Sequence, residues 1–312
     1  MSATRRVLAA CFALLALVAA GCSRVSDADE APPVATAARD LGAVEVLRDQ
    51  PYAEHDTGAL KLDLFLPEQQ GSPAPLVVYV HGGGWDAGVR TLDADRTTTE
   101  ALTAERLLER GYAVATVDYR LSGVAQAPAQ LVDVADAVRW LQQRAGQWDL
   151  DGERVVLWGA SAGGQLVSQL GAVTGDPDKP GGGLTGIRAV IDWFGPTDMS
   201  AEAQRAQPHM QEYARRVVNQ LLGCMPVDCP DKAEAISPIR HLSGDEPPFL
   251  IQQGTADSLV PLEQSLDFAE ALRTLGVTVE MHPYEGLDHG FGRGPHTPLI
   301  VDTVTAFVET HV

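Results

Sequence analysis

A serine flanked by small residues is the first feature of this chain that could carry out chemistry. Ser161 lies in "GASAG" (159–163), after the apolar run "RVVLWG" and before an apolar segment with helical spacing. This is the G-x-S-x-G pattern of the nucleophile elbow, which exposes a serine on a sharp turn between a strand and a helix. The same pattern also fits an ordinary turn whose serine caps the helix. Ser161 is therefore a candidate nucleophile that needs partners elsewhere in the chain.

A serine nucleophile needs a general base, and the base needs an acid that orients it. In the fold that uses this elbow, the order along the chain is Ser, then Asp or Glu, then His. Asp257 follows the apolar run "PFLIQQG", and His289 follows the last predicted strand. We expect His289 Nε2 to take the Ser161 proton and Asp257 to hold the imidazole through Nδ1.

Other titratable residues compete for these two roles. Asp198 also follows a predicted strand and is the best substitute for Asp257 as the acid. Asp288 would have to turn its side chain back toward the histidine that it precedes. His282 lies inside a predicted strand and His296 in a segment rich in Gly and Pro, so both are weaker candidates for the base.

Three consecutive glycines end another apolar run. In "PLVVYVHGGGWDAG" (75–88), His81 is followed by the triplet Gly82–Gly84 and then by Trp85. Glycine allows backbone dihedrals and close approaches that a side chain forbids, so this loop could point its N–H groups into a site. We expect Gly82 to give the turn and His81 to be structural. Trp85 should either line a pocket or cover the glycine loop.

Strand-like and helix-like segments alternate along the chain. This alternation predicts an α/β fold with a mostly parallel sheet and helices on both of its faces. Ligands bind beyond the carboxyl ends of the strands in such sheets, which is where the candidate residues are predicted to lie. Residues from about 198 to 246 predict a helical insertion that could cover the site as a lid or simply pack against the body. The predicted strands are 60–67, 76–80, 112–119, 154–159, 188–195, 248–254 and 277–285, and the helices include 92–110, 161–174 and 297–311.

Several motifs, taken in order, resemble the α/β-hydrolase family. They lie between about residues 60 and 292 and read "LDLFLP", "VVYVHGGGW", "GYAVATVDYRL", "VVLWGASAGG", "GPTDM", "GTADSLVP" and "GLDHGF". More narrowly, the chain is similar to esterases with an HGGGW-type oxyanion loop. These include bacterial feruloyl and acetylxylan esterase-like proteins and the hormone-sensitive-lipase-like group. The lipase-like group has a proline-glutamate pair after "DYRL", and its absence here favours the feruloyl and acetylxylan branch.

The resemblance implies a serine hydrolase that cleaves carboxylic esters through an acyl-enzyme on Ser161. The implied substrates are small molecules with short-chain acyl, acetyl or feruloyl groups, some of them carried on carbohydrates. It also implies that the N–H groups of Gly83, Gly84 and Ala162 stabilise the negative oxygen, and that no metal or organic cofactor takes part. Two other hypotheses stay open: an amide hydrolase of the peptidase or arylformamidase kind, and a non-catalytic binding protein on the hydrolase fold.

The first residues predict export. "MSATRRVLAACFALLALVAAGC" has a basic start, a short apolar centre and small residues, as in a secretory signal peptide of residues 1–21. "VAAGC" resembles a bacterial lipobox, which would make Cys22 the lipidated first residue and the lipid the only membrane contact. Cleavage by an ordinary signal peptidase would instead release a secreted protein, and a membrane helix is disfavoured because the apolar run is short. Residues 22–42 then form a flexible tether, and residues 43–312 form the hydrolase domain.

Charge and cysteine content add two expectations. The formal net charge is −19 at pH 7, which argues against nucleic acid as a partner because such binding depends on Lys and Arg neutralising phosphates. Cys224 and Cys229 stand five residues apart. In an oxidising compartment we expect them to form a disulfide across a small loop.

Overall fold

The computed structural model describes residues 41–68, 70–92, 95, 97–206 and 212–312. The predicted signal peptide, Cys22 and nearly all of the predicted tether lie outside these residues. Within the described ranges, no helix combines the length and the hydropathy needed to cross a bilayer.

One sheet forms the centre of the described chain. Its strands are β1 (Glu45–His55), β2 (Gly58–Leu66), β3 (Ala74–Val80), β4 (Ala113–Val117), β5 (Leu150–Ala160), β6 (Ile187–Trp193), β7 (Phe249–Gly254) and β8 (Val279–Tyr284). Their order across the sheet is β1-β2-β4-β3-β5-β6-β7-β8. The β1–β2 and β2–β4 pairs are antiparallel, and every later pair is parallel. The predicted α/β-hydrolase architecture with a mostly parallel sheet is therefore confirmed.

The strand β1 was not predicted. It forms a hairpin with β2, in which His55 pairs with Gly58. As an edge strand it is half-exposed along most of its length, so its residues show no apolar run or clean alternation. The strand is stabilised by its pairing with β2. This pairing produces no hydrophobic periodicity in the sequence, so the strand could not be predicted from the pattern of apolar residues.

Helices cover both faces of the sheet. They are α1 (Thr99–Glu109), α2 (Ala129–Arg144), α3 (Ala162–Val173), α4 (Ala201–Ala206), α5 (Glu212–Leu222), α6 (Pro230–Ala235), α7 (Leu262–Thr274) and α8 (Thr297–His311), with 3₁₀ turns at Ala145–Gln147 and Pro238–Arg240. On one face α1 and α8 pack on the sheet through residues such as Leu107 and Ile300. On the other face α2, α3, α5 and α7 pack through residues such as Val134, Val217 and Phe268.

The structure corrects the start of one predicted helix and shows which helices form the predicted insertion. The helix predicted from residue 92 begins only at Thr99, because the side chain of Thr98 accepts the Ala101 N–H and caps the helix there. The segment from 198 to 246 is helical through α4, α5 and α6, and its described residues contain no strand. Cys224 and Cys229 form the expected disulfide between α5 and α6.

Candidate active site

The candidate nucleophile lies on a strained turn. Ser161 connects β5 to α3 with φ 56° and ψ −118°, a conformation that a residue other than glycine adopts only at a cost. The glycines around it permit the turn. A Cβ on Gly159 would lie 2.2 Å from the carbonyl oxygen of Gly163, so the helix could not leave the strand at this angle if residue 159 carried a side chain. The sequence pattern therefore corresponds to a real elbow.

The elbow and the glycine loop fit closely against each other. β3 and β5 are neighbours in register, with Val80 beside Gly159, so the loop after β3 lies next to Ser161. A Cβ on Gly163 would lie 2.0 Å from the Val80 carbonyl oxygen, and one on Gly82 would lie 2.9 Å from the Ala160 carbonyl oxygen. The elbow therefore needs glycine at position 163 and the loop needs glycine at position 82, because a side chain at either position would collide with the backbone of the other segment.

Ser161, His289 and Asp257 form one hydrogen-bonded path. The distance from Ser161 Oγ to His289 Nε2 is 2.9 Å, and His289 Nδ1 lies 2.9 Å from Asp257 Oδ2 and 3.1 Å from Oδ1. The Asp257 side chain is 0% exposed and that of His289 is 14% exposed. Asp257 Oδ1 also accepts the N–H groups of Leu259 and Val260, each at 2.9 Å. The carboxylate is therefore fixed with its other oxygen facing the imidazole.

The competing residues have other partners. Asp198 accepts hydrogen bonds from the Arg240 guanidinium at 3.0 Å and from the Ser200 N–H, so it is not the acid bonded to His289. His282 lies in β8 beside Glu280. His296 directly precedes α8.

Asp288 joins the loop that carries Asp257 to the loop that carries His289. Its Oδ1 accepts the N–H of Ser258 at 2.8 Å and the N–H of His289 at 2.7 Å. These hydrogen bonds hold the pKa of the Asp288 carboxyl below its usual range. Asp288 thus helps to position the acid and the base without contacting the imidazole nitrogens itself.

The glycine triplet makes its turn at Gly83 and Gly84. Their φ values are 111° and 62°, which favour glycine, and the Gly83 carbonyl accepts the N–H groups of Asp86 and Ala87. The prediction that Gly82 gives the turn is wrong, because Gly82 has no positive φ and is required by its close approach to the elbow. Within the described chain, the N–H groups of Gly83, Gly84 and Ala162 donate no hydrogen bond.

His81 and Trp85 hold this loop in place. The His81 ring stacks on Tyr119 with centroids 4.4 Å apart, and its Nδ1 lies 2.7 Å from the Gly82 carbonyl oxygen. Burial lowers the pKa of His81, which favours a neutral ring. Trp85 is 2% exposed, donates its Nε1–H to Gln165 Oε1 at 3.0 Å, and also lines the cavity above Ser161. It therefore both covers the loop and lines a pocket.

A mostly apolar cavity of about 280 Å³ opens onto Ser161. Helix α5 supplies part of its wall through Tyr213, Val217 and Val218, and Phe194 packs edge-on to the His289 ring with centroids 4.7 Å apart. None of these residues was predicted from the sequence. The available signal was the amphipathic pattern of "EYARRVVNQLL", which buries one side of α5.

The geometry suits attack by a serine on a carbonyl carbon. A base lies within hydrogen-bonding distance of the hydroxyl, a buried acid orients the base, and the residues whose N–H groups are unpaired line the same cavity as Ser161. No cluster of three or more side chains that could hold a metal ion occurs among the residues that the structure describes.

Known proteins are similar to this chain in sequence and in fold. A family model described as BD-FAE matches residues 62–272. Esterase LipC of Mycobacterium tuberculosis is 28% identical over 225 residues, which are 70% of this chain and 53% of LipC. The chain spans about half the length of the curated relatives it matches.

Solved esterase structures cover more of the chain. The truncated form of a carbohydrate esterase from gut microbiota matches with a TM-score of 0.73 and 26% identity over 87% of this chain and 99% of that one. Propionate-bound Est2, an esterase of the planctomycete Thermogutta terrifontis, matches with a TM-score of 0.67 and 28% identity over 86% of this chain and 94% of that one.

Proposed function

The chain belongs to the BD-FAE family, and from this premise and the site geometry we propose that it is a serine hydrolase of carboxylic esters. The observation that carries the proposal is the continuous path from Ser161 Oγ through His289 to the buried Asp257. A hydroxyl, a base and an orienting acid in this order are what an acyl-enzyme mechanism needs.

In the first half of the reaction, His289 Nε2 takes the proton of Ser161 as Oγ attacks the ester carbonyl. Asp257 keeps the Nδ1 proton facing its carboxylate and stabilises the imidazolium that forms. The imidazolium then gives its proton to the leaving alcohol, and the acyl group stays on Ser161. In the second half, water repeats the attack with His289 again as the base, and the acid product leaves.

The N–H groups of Gly83, Gly84 and Ala162 are proposed to bind the negative oxygen of both tetrahedral intermediates. They need no reorganisation, because the turn at Gly83 and the start of α3 already fix them without an internal acceptor. Removing one such donor typically costs about 3 kcal/mol of transition-state stabilisation.

We further propose that the acyl group is short. The cavity is small and its α5 wall is apolar, so an acyl chain of a few carbons would fill it. Est2, which shares the fold, has been solved with propionate bound. A series of p-nitrophenyl esters from acetate to octanoate should therefore show its highest kcat/KM at the short end.

The experiment that tests the proposal is the replacement Ser161→Ala, assayed with p-nitrophenyl acetate. We expect less than about 1% of the wild-type kcat to remain, since removing the nucleophile of such a triad costs several orders of magnitude. Ser72→Ala, at an exposed serine distant in sequence from the site, is the matched control and should keep full activity. Retention of more than a few per cent of activity in Ser161→Ala would contradict the assignment.

A fluorophosphonate probe separates the enzyme from a non-catalytic binding protein. The wild-type protein should form an adduct on Ser161, whereas a binding protein on the same fold would not. A panel of aryl acetates, aryl formamides and dipeptides then compares ester with amide hydrolysis, and we expect the esters to be cleaved at the higher kcat/KM.

Export and lipid anchoring at Cys22 remain proposals from the sequence of residues 1–42. The disulfide between Cys224 and Cys229 supports export, because such bonds persist in oxidising compartments and are rare in the cytosol.

A further inference from the structure

Two buried glutamines stand side by side near the carboxyl end of β7. Gln252 and Gln253 are each 0% exposed, although glutamine is mostly found on protein surfaces. A buried amide costs free energy unless it is hydrogen-bonded, so each of the two needs partners inside the protein. Successive residues of a strand point to opposite faces of the sheet, and the two amides accordingly have different partners.

The amide of Gln252 completes an aromatic cluster. Its Oε1 accepts the Trp193 indole N–H at 2.6 Å, and its Nε2 donates to the Tyr284 hydroxyl at 2.5 Å. Both partners belong to the core on the side of the sheet that α1 and α8 cover. Gln252 is therefore explained by the packing of this core.

The amide of Gln253 joins α7 to the acid of the active site. Its Nε2 donates to Asp257 Oδ2 at 3.2 Å and to the Val260 carbonyl oxygen at 2.5 Å. An ionised carboxylate and a carbonyl can only accept, so the end of the amide that faces them must carry the hydrogens. Its Oε1 accepts the hydroxyl of Ser265, a buried residue of α7. Ser265 therefore fixes the direction in which the amide points.

Gln253 bonds to the same carboxylate oxygen as the base. Asp257 Oδ1 is held by two backbone N–H groups of the loop that follows it. Its Oδ2 lies 2.9 Å from His289 Nδ1 and 3.2 Å from Gln253 Nε2. A hydrogen bond to a carboxylate stabilises the charged form, so the amide competes with the imidazolium for the negative charge on Oδ2. It also restricts rotation of the carboxylate.

We propose that Gln253 is a positioning residue for the reaction. Its amide, oriented by Ser265, holds the Asp257 carboxylate in place and weakens the attraction of that carboxylate for the proton on His289. His289 then stays neutral, and able to act as a base, down to a lower pH. This inference rests on the proposed ester hydrolysis and goes beyond it, because Gln253 does not line the cavity and acts only through Asp257.

The test is the replacement Gln253→Met, which fills nearly the same space and cannot donate a hydrogen bond. The measured quantities are kcat and KM for p-nitrophenyl acetate from about pH 5 to pH 8, since the acidic side of the kcat/KM profile reports protonation of the base in the free enzyme. We expect the midpoint of that side to move up by about half a pH unit or more, because Asp257 becomes a stronger acceptor for the imidazolium. At pH 8 we expect kcat to fall about ten-fold, as for one lost hydrogen bond to a charged group, with KM little changed.

Gln252→Met is the matched control. It removes a buried amide from the neighbouring position of the same strand and leaves the hydrogen bond between Gln253 and Asp257 in place, so its midpoint should equal that of the wild-type protein. The charged groups that contact His289 or line the cavity are the same in both variants; they are Asp257, Asp288, Glu100 and Asp198. A shift confined to Gln253→Met therefore comes from the amide that bonds to Asp257.

Two further measurements make the test independent of folding and of turnover. Ser265→Ala removes only the hydroxyl that orients the amide and should move the midpoint in the same direction. It decides the question if Gln253→Met does not fold. NMR titration of the His289 ring protons gives the same comparison if turnover is too slow to measure.

A midpoint that stays in place or moves to lower pH would overturn the proposal. A fall in kcat without a shift would mean that the amide of Gln253 only holds the loop at Val260, and an equal shift in Gln252→Met would mean that any buried amide of β7 has the same effect; either result also overturns it. Failure of the wild-type protein to hydrolyse p-nitrophenyl acetate would instead refute the proposed function itself.

Discussion

Replacing Asp192 with asparagine should change how the stability of the protein depends on pH. The Asp192 side chain is fully buried in β6 below α3. Its Oδ2 accepts the Ser168 hydroxyl at 2.7 Å and its Oδ1 accepts the Gly195 N–H at 2.8 Å. No Lys, Arg or His of the described chain pairs with it. Burial raises its pKa to about 6, although these hydrogen bonds oppose the shift.

The sign follows from the direction of that shift. A carboxyl with a raised pKa binds its proton more tightly in the folded state than in the unfolded state. Its contribution to stability is therefore fully present below about pH 4 and is lost as the pH rises through about 6. Raising the pKa from 3.8 to about 6 corresponds to about 3 kcal/mol of unfolding free energy.

Asparagine has nearly the same shape and carries no charge. Its Oδ1 can still accept the Gly195 N–H, and its amide can donate to the Ser168 hydroxyl. The difference in unfolding free energy between Asp192→Asn and the wild-type protein should rise in favour of the variant by about 2.4 kcal/mol between pH 4 and pH 7.5, because part of the full effect of about 3 kcal/mol has already developed by pH 4. Below pH 4 the two proteins should differ by much less.

Urea unfolding at several pH values between 4 and 7.5, with the disulfide intact, measures this difference directly. The other carboxyl groups contribute equally to the unfolding free energies of the two proteins, so their contributions cancel when the two are compared at each pH. Asp267→Asn, at an exposed position of α7, is the control and should give a flat difference. A flat or falling difference for Asp192→Asn would refute the reasoning, because it would mean that the buried group is not held protonated above its usual pKa.

Two predictions concern the active site. Asp257→Asn should lower kcat for p-nitrophenyl acetate by about three to four orders of magnitude, because an amide can donate to Nδ1 and favour the wrong tautomer of His289; a loss below ten-fold would show that another acid suffices. Gly83→Ala should lower kcat at least a hundred-fold, since its Cβ would lie 2.2 Å from the Ala87 carbonyl oxygen and displace the loop. Gly294→Ala, where a Cβ meets no atom within 4 Å, is its control, and equal kcat values in these two variants would contradict the role of the loop.

The residues that the structure brings together were largely predictable, because their signals are local. Each of Ser161, Asp257 and His289 follows a predicted strand, and the carboxyl ends of parallel strands meet at one edge of a sheet. Knowing the strands therefore fixes which loops lie together. The choice between Asp257 and Asp198 relied on family order along the chain, and the contacts of Asp198 with Arg240 and Ser200 could not be derived from it.

The residues that escaped prediction depend on tertiary packing. Glu100, in the first turn of α1, lines the cavity above Ser161. In the sequence it resembles any acidic residue in the first turn of a helix, a position that the helix dipole favours anyway. Its place in the cavity follows only from where α1 packs. Likewise, the amphipathic pattern of α5 shows that one side is buried, but not that Val217 and Val218 are buried against a cavity. Gly82 was assigned to the turn because glycine has two uses, close approach and positive φ, and sequence does not separate them.

The close fit between the glycine loop and the elbow has a consequence for protein engineering. Gly82 packs directly against the Ala160 carbonyl, and Gly163 packs directly against the Val80 carbonyl. These two segments, about 80 positions apart in sequence, therefore form one structural unit, and a change in one requires a matching change in the other. A mutant library that diversifies either segment alone should consist mostly of inactive clones. Substitutions on the cavity-facing side of α5 leave this loop–elbow unit intact, so that helix is the better place to evolve a new acyl preference.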